Sequence, residues 1–207
     1  MFAIYGIQGH VASAALEQVQ ALARTQATRA VLPDEGMQGQ GSEPQAQSPQ
    51  YGSHGAALAL QAYAQQLPGW SRVEHLMQPC ATVLEVQSDL ASAWRLLAQH
   101  DCEAAPVLRQ DRFVGLLQRK RCWPEQAPDV SAEAWAAHWA QPVRACMTSP
   151  LPVAHPETPL ADAAALMQAL RLPLLAVCDG SGVLLGELSV AALLGALTQP
   201  HRLSAWG

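Results

Sequence analysis

Residues 73–121 read VEHLMQPCATVLEVQSDLASAWRLLAQHDCEAAPVLRQDRFVGLLQRKR, and residues 143–192 read VRACMTSPLPVAHPETPLADAAALMQALRLPLLAVCDGSGVLLGELSVAA. The two stretches align at an offset of 70 residues, and one additional residue near the end of the second copy restores the register. Such self-similarity is typical of a unit that cannot bury its apolar faces alone and packs against its own repeat. The pairs in register are Val73/Val143, Met77/Met147, Val83/Val153, Leu90/Leu160, Ala93/Ala163, Val107/Val177, Gly115/Gly186 and Leu117/Leu188.

Each copy reads strand, helix, strand, strand, helix. Ser88-Asp89 precedes apolar residues at helical spacing, so this pair is predicted to cap a helix. Thr158-Pro159 predicts the same start in the second copy, with the threonine as N-cap and the proline at the first helical position. Short apolar runs at 105–108 and 174–177 predict buried strands, and Asp179-Gly180 predicts a tight hairpin. The predicted fold class is therefore α/β, with two β-α-β-β-α units packed as a pair.

The remaining residues show no further repeat. Gly, Pro, Gln and Ser supply 16 of the 23 residues from 33 to 55, which predicts a flexible linker because so few side chains could be buried. Residues 2–7 could form a strand, and residues 16–32 are weakly helical. The predicted organisation is a partly disordered N-terminal extension (1–32), the linker (33–55), a short helix (56–69), the first repeat (70–123), a connecting helix (124–142), the second repeat (143–200) and a tail (201–207).

Composition excludes several classes of protein. Twelve Lys and Arg against 17 Asp and Glu give a net charge of −5, which argues against a nucleic-acid partner. The most apolar long stretch, 183–197, contains Glu187 and is too short to span a bilayer, so no membrane partner is expected. The first basic residue is Arg24, which is not typical of a secretory leader. Five widely spaced cysteines fit reduced thiols, and a cytoplasmic location is expected.

The repeat resembles a tandem pair of CBS domains, the cystathionine-β-synthase-type regulatory motif. In the first copy the resemblance lies in residues 73–77, in Ala105-Pro106-Val107 and in residues 113–117. In the second copy it lies in residues 143–150, in Ala176-Val177 and in residues 184–189. The resemblance implies two motifs packed through their sheets, often dimerising as a disc. It also implies AMP, ADP, ATP or S-adenosylmethionine as ligands in the clefts between the motifs, without a covalent cofactor.

The ligand signature implied by the family is Gly-hydrophobic-x-Thr/Ser-x-x-Asp, in which the hydroxyl takes phosphate and the carboxylate takes ribose hydroxyls. The second copy keeps the hydroxyl as Ser189 and has Ala192 at the acidic position, whereas the first copy has Gln118 and Arg121. The candidate ligand-binding residues are Thr82, Val83, Ala105, Pro106, Gly115, Gln118, Arg119, Lys120 and Arg121 in the first copy, and Pro152, Val153, Ala176, Val177, Gly186, Ser189 and Ala192 in the second.

Three features allow two interpretations each. Residues 109–121 contain five of the twelve basic side chains, which could form an anion site at a helix start or a solvated basic face. Ser189 could bind phosphate or cap the last helix. Trp135 and Trp139, four residues apart on a predicted helix, could dock a partner or cover the core.

Two functions remain open. One is a regulatory module that senses an adenosyl or other phosphorylated metabolite and passes that state to an unidentified protein partner. The alternative is a ligand-free platform for dimerisation and protein interaction. An enzyme is not expected, since the sequence has no nucleophile–base pair and no cofactor motif. A metal site is not expected either, because the seven histidines are scattered. In both readings the chain is expected to be a homodimer.

Overall fold

Both repeat copies are α/β units, and the second has the β-α-β-β-α order that the sequence predicts. The computed structural model describes residues 2–19, 21, 71–124 and 131–198. The first copy contains β3 (Leu84–Glu85), α1 (Leu90–Gln99), β4 (Ala104–Arg109) and β5 (Arg112–Gln118), and α2 (Ala132–Trp139) follows it; the second contains β6 (Leu151–Val153), α3 (Leu160–Leu170), β7 (Leu174–Cys178), β8 (Leu184–Ser189) and α4 (Val190–Thr198).

The two copies build matching sheets. In the first, β3 runs parallel to β4, and β4 pairs antiparallel with β5. In the second, β7 pairs antiparallel with β8, and a parallel bridge between Ala154 and Val177 continues the pattern toward β6. Leu84 in the first copy likewise pairs with Val107, so the predicted register between the copies holds in the strand pairing.

The copies exchange the short segments that precede them. A short 3-10 helix, Val73–His75, opens the first copy, yet Val73 is fully buried in the core of the second. Its counterpart Val143 is fully buried in the core of the first copy. Backbone hydrogen bonds fix both exchanges, from the Val73 N–H to the Thr158 carbonyl and from the Val143 N–H to the Ser88 carbonyl. Each hydrophobic core is therefore completed by the other copy.

An N-terminal hairpin extends the second copy. β1 (Phe2–Gly6) pairs antiparallel with β2 (Gly9–Ala14) and, along its other edge, with β6 through Ala3 and Val153. Phe2 and Tyr5 are buried in the second core, where the Tyr5 hydroxyl donates a hydrogen bond of 3.5 Å to the Gly180 carbonyl. The sequence pointed to a strand near residues 2–7 but missed β2 and the docking of this hairpin.

Truncating Tyr5 should release the hairpin. Tyr5→Ala removes a ring that lies 3% exposed against the glycine at position 182, so we expect a loss of about 3 kcal/mol in the free energy of unfolding. Denaturant unfolding of this variant, with the solvent-facing Val11→Ala as control, measures the loss. A Tyr5→Ala protein as stable as the control would show that the hairpin adds nothing to the core.

The helix starts differ between the copies. Asp89 caps α1 as predicted, because its carboxylate accepts a hydrogen bond of 2.8 Å from the Ser92 N–H. The predicted cap at Thr158 is wrong. Pro159 is the N-cap of α3, and the buried Thr158 hydroxyl instead accepts a hydrogen bond of 2.9 Å from the His155 N–H. The threonine side chain thus stabilises the turn before the helix and not the helix itself.

The first copy lacks the long helix that was expected directly after its last strand. Residues Arg119–Cys122 form one turn of 3-10 helix, and Trp123 is extended before Pro124. Proline disfavours the helical conformation in the residue before it, which ends the turn. α2 then begins at Ala132 and is capped by Ser131, whose hydroxyl accepts a hydrogen bond from the Ala134 N–H. Several predicted segments lie outside the described residues: the linker 33–55, the helix 56–69, the tail 201–207 and most of the helix 16–32.

Candidate ligand-binding cleft

The two signature glycines lie where one copy crosses the other. A Cβ atom on Gly115 would lie 2.6 Å from the Thr148 carbonyl oxygen, and one on Gly186 would lie 2.6 Å from the Gln78 carbonyl oxygen. Reciprocal backbone hydrogen bonds join Leu116 to Thr148 and Glu187 to Gln78 at these crossings. Each signature therefore faces the leading segment of the opposite copy.

An open cleft of about 350 Å³ lies beside the signature of the first copy. One wall comes from the end of β5 and the turn after it, together with Glu103 at the start of β4. The other wall comes from the turn between α3 and β7 of the second copy. The lining residues are Glu103, Gln118, Arg119, Lys120, Arg171, Leu172 and Pro173.

Three cations line this cleft, and their charges are available to a ligand. Arg119 contacts Asp101 at 3.4 Å, but the Asp101 side chain is 95% exposed, so this pair is weak and exchangeable. Lys120 and Arg171 are exposed, and neither side chain has a hydrogen bond or ion pair with another described residue. Guanidinium and ammonium groups placed in this way form strong hydrogen bonds with phosphate or carboxylate oxygens.

Arg171 occupies an uncommon backbone conformation. It ends α3 with φ 52° and ψ 43°, the left-handed region that glycine, asparagine and aspartate tolerate best. The equivalent turn of the first copy has Asp101 at φ 50°, a residue that suits this conformation. Both copies therefore have this left-handed turn. An arginine in this backbone conformation is strained, and only the second copy has one at this position. Its guanidinium is what this position adds to the cleft.

The basic run of the first copy does not converge on one site. Arg109 and Arg112 lie at the opposite end of β5 from Arg119, about 20 Å away at the rise of a strand. The Arg109 guanidinium donates to the Ile7 carbonyl at 3.3 Å. Arg121 is not among the cleft-lining residues and donates a hydrogen bond of 2.6 Å from Nη1 to the Thr148 hydroxyl oxygen. Of the five basic residues in the run, the cleft holds Arg119 and Lys120.

The helix-start version of the anion site is wrong, because only a single 3-10 turn follows Gln118. In the second copy, the Ser189 hydroxyl accepts a hydrogen bond of 3.0 Å from the Ala192 N–H at the start of α4. Ser189 therefore caps the last helix.

The second signature has a different chemical environment. The Cys80 thiol lies near the half-buried Glu187 carboxyl group beside the Gly186 crossing. Burial raises the pKa of Glu187, and burial together with the nearby Glu187 charge raises the pKa of Cys80 to about 12. Cys102 is close enough for the Glu187 charge to raise its pKa as well, after burial. Thiols and a carboxyl group lie near this signature, and Arg119 of the first copy is close enough to Cys102 to oppose the rise in its pKa.

The other predicted ligand residues are mostly inside the cores. Val83 is 44% exposed, whereas its counterpart Val153 is 2% exposed because β1 covers it. Thr82 is partly exposed. Five others are buried in strands or beside them: Ala105, Pro106, Pro152, Ala176 and Val177.

Sequence reasoning missed the second wall of the cleft. Arg171, Leu172 and Pro173 belong to no motif, and they lie more than 50 residues from Gln118 along the chain. The repeat alignment offered one signal, since the offset of 70 places Pro173 on Glu103, which also lines the cleft.

Across residues 2–19, 71–124 and 131–198, no group of three or more His, Cys, Asp or Glu side chains is arranged to hold a metal ion. Among those segments, no helix combines the length and apolar character needed to cross a membrane. All five cysteines are free thiols.

Comparisons with known proteins agree with this architecture. Residues 143–199 match the family model of the CBS domain. The CBS-pair protein CBSX2 from Arabidopsis thaliana is 25% identical with a TM-score of 0.55, and the match covers 64% of this chain and 96% of that one. A second structure of CBSX2, in complex with AMP, gives 25% identity, a TM-score of 0.53 and coverages of 65% and 100%.

More distant structures share the fold. The CBS domain pair of protein MJ0100, in complex with 5′-methylthioadenosine and S-adenosyl-L-methionine, is 16% identical with a TM-score of 0.51, covering 62% of this chain and 96% of that one. Protein MJ1225 from Methanocaldococcus jannaschii is 14% identical with a TM-score of 0.58; the match covers 68% of this chain but only 52% of that one. A search of curated protein sequences gives no match.

The second repeat matches the family model directly, and the first repeat shares its strand register and its glycine crossing. The pair as a whole aligns with nearly the full length of CBSX2. Residues 143–199 are therefore a CBS domain, and the two repeats together have the fold of a CBS pair.

Proposed function

We propose that this protein is a regulatory module that senses a phosphorylated metabolite, of the adenosyl type or related to it, in the cleft between its two CBS motifs. The observation that carries the proposal is the cleft lined by Arg119, Lys120 and Arg171, in which cations from both motifs face one open volume. A ligand bound there contacts both motifs, so its presence changes how they pack. The proposed role is binding, without a chemical reaction.

The similar structures support the choice of ligand. CBSX2 has been solved with AMP, and MJ0100 with 5′-methylthioadenosine and S-adenosyl-L-methionine. For this chain, AMP, ADP, ATP and S-adenosylmethionine are accordingly the ligands to test first. The proposal further places the protein in the cytoplasm as a homodimer that passes the ligand state to a protein partner.

Binding should be visible as thermal stabilisation. At about 100 times its dissociation constant, a ligand stabilises the native state by about 2.7 kcal/mol, equivalent to a rise in Tm of about 5–10 °C for a domain of this size. We expect ATP to produce this shift in the full chain and Arg171→Ala to abolish most of it. The matched control is Arg72→Ala at the other end of α3, about 17 Å from Arg171. No shift with any of the four ligands, or equal shifts in both variants, would contradict the proposal.

One observation favours the alternative role as an interaction platform. Trp94, Trp123, Trp135 and Trp139 form a cluster with ring centroids 5.5–6.3 Å apart. Trp123 contacts the other three rings and is still 48% exposed, although Trp94 and Trp139 pack against the first core. Exposed aromatic surface of this kind is enriched at protein interfaces. Sedimentation that changes with Trp123→Ala but not with nucleotide would support the platform over the sensor.

A further inference from the structure

The cleft offers many hydrogen-bond donors and few acceptors. Arg119, Lys120 and Arg171 only donate, and Gln118 offers one amide group that can do either. Glu103 supplies the one carboxylate among the lining residues. Phosphoryl oxygens accept hydrogen bonds and carry charge, so they match this lining. A neutral nucleoside brings hydroxyl and amino groups that would gain much less from it.

Arg121 strengthens this preference for phosphate over a neutral nucleoside, because it lies in the signature itself. It stands where the family signature has an acidic residue, and its side chain is directed across to the second motif by the 2.6 Å hydrogen bond to the Thr148 hydroxyl. A carboxylate at this position could accept hydrogen bonds from two sugar hydroxyls, whereas a guanidinium has five donors and no acceptor. The first signature therefore has no carboxylate to accept hydrogen bonds from the two ribose hydroxyls. Arg121 also adds a further positive charge beside the cleft.

The second signature does not compensate for this loss. Its acidic position is Ala192, its hydroxyl caps α4, and Glu187 with Cys80 lies beside its glycine. A carboxyl group repels phosphate when it is ionised. The two signatures thus differ in the groups nearest to them, with Arg121 at the first and Glu187 with Cys80 at the second, although they are related by the repeat.

We propose, building on the function proposed above, that the cleft recognises a chain of phosphates and not the nucleoside, and that each protein chain binds one such ligand. The ligand class is a polyphosphate, carried either by a nucleotide or by an inorganic polyphosphate. Arg119, Lys120 and Arg171 contact the phosphates, and Arg121 is the residue that removes selectivity for the sugar.

Titration calorimetry of the full chain with ATP, inorganic tripolyphosphate and adenosine tests this proposal. We expect ATP and tripolyphosphate to bind with dissociation constants within about threefold of each other, at one ligand per chain, and adenosine to give no heat. ATP binding more than tenfold tighter than tripolyphosphate, or two sites per chain, would overturn the inference while leaving the proposed sensor intact. If neither ATP nor tripolyphosphate gives a heat of binding, both this inference and the proposed sensor function are overturned.

A substitution at residue 121 tests the specificity separately. Arg121→Asp restores a carboxylate at the signature, so it should weaken tripolyphosphate at least tenfold and shift the preference toward ATP by about the same factor. Arg72→Asp makes the same charge change elsewhere and should leave both constants within twofold. Arg121→Gln, which removes the charge and can still reach Thr148, should give an intermediate loss if Arg121→Asp folds poorly. An unchanged ratio of ATP to tripolyphosphate affinity in both Arg121 variants would refute the assignment of this residue.

Discussion

The two motifs, produced as separate polypeptides cut between residues 124 and 131, should each fail to unfold cooperatively. Val73 is carried by the first polypeptide but buried in the second core, and Val143 is carried by the second but buried in the first core. Each half would therefore expose its own leading valine and leave a void in its core. Both effects add to the loss of the backbone hydrogen bonds that join the halves.

Mixing the two halves should restore the native fold, because all contacts are then available again. Thermal unfolding followed by circular dichroism would show no transition for either half and one transition for the equimolar mixture. The uncut chain is the reference for the Tm. Separate cooperative transitions in the isolated halves would mean that the exchange of segments is not needed for folding.

Gly186→Val should be among the single substitutions that destabilise the folded chain most. The Cβ atom would lie 2.6 Å from the Gln78 carbonyl oxygen, which is backbone and is itself hydrogen-bonded to the Glu187 N–H. The two segments would have to separate, so we expect a loss of about 3 kcal/mol or more, at the upper end of overpacking effects. Gly115→Val should behave in the same way at the Thr148 crossing.

Gly195→Ala provides the matched control. A Cβ atom at this position in α4 meets nothing within 4 Å, and alanine favours a helix by about 0.5–1 kcal/mol over glycine. Denaturant unfolding should therefore rank Gly195→Ala at or above the unsubstituted chain and both valine variants far below it. Valine variants with unchanged midpoints would show that the crossings are looser than the structure indicates.

The repeat made most of the fold predictable. Leu84/Ala154 and Val107/Val177 occupy equivalent places because apolar alternation and turn residues are local signals, which the sequence displays directly. The exchange of Val73 and Val143 was not predictable, since periodicity shows that a valine is buried but not which core buries it. The β2 strand was missed because GHVASA is small and mostly exposed, and its pairing depends on β1.

The candidate site was half predictable. Gln118, Arg119 and Lys120 follow the signature and were found by it. Arg171 lines the cleft from the end of α3 in the second CBS motif, where no sequence pattern marks a binding residue. Arg121 shows the reverse case, since its place in the signature suggested the cleft, but the Thr148 hydroxyl holds its guanidinium at the crossing. Side-chain partners of this kind depend on the packing of the two motifs.

A crystal structure of the full chain grown with saturating ATP would test the central claim most directly. The account predicts phosphate density between the two motifs, with phosphoryl oxygens within hydrogen-bond distance of Lys120 and Arg171 and one nucleotide per chain. Density beside Cys80 and Ser189 instead, or an empty cleft at Arg119–Lys120 under saturating ATP, would contradict it.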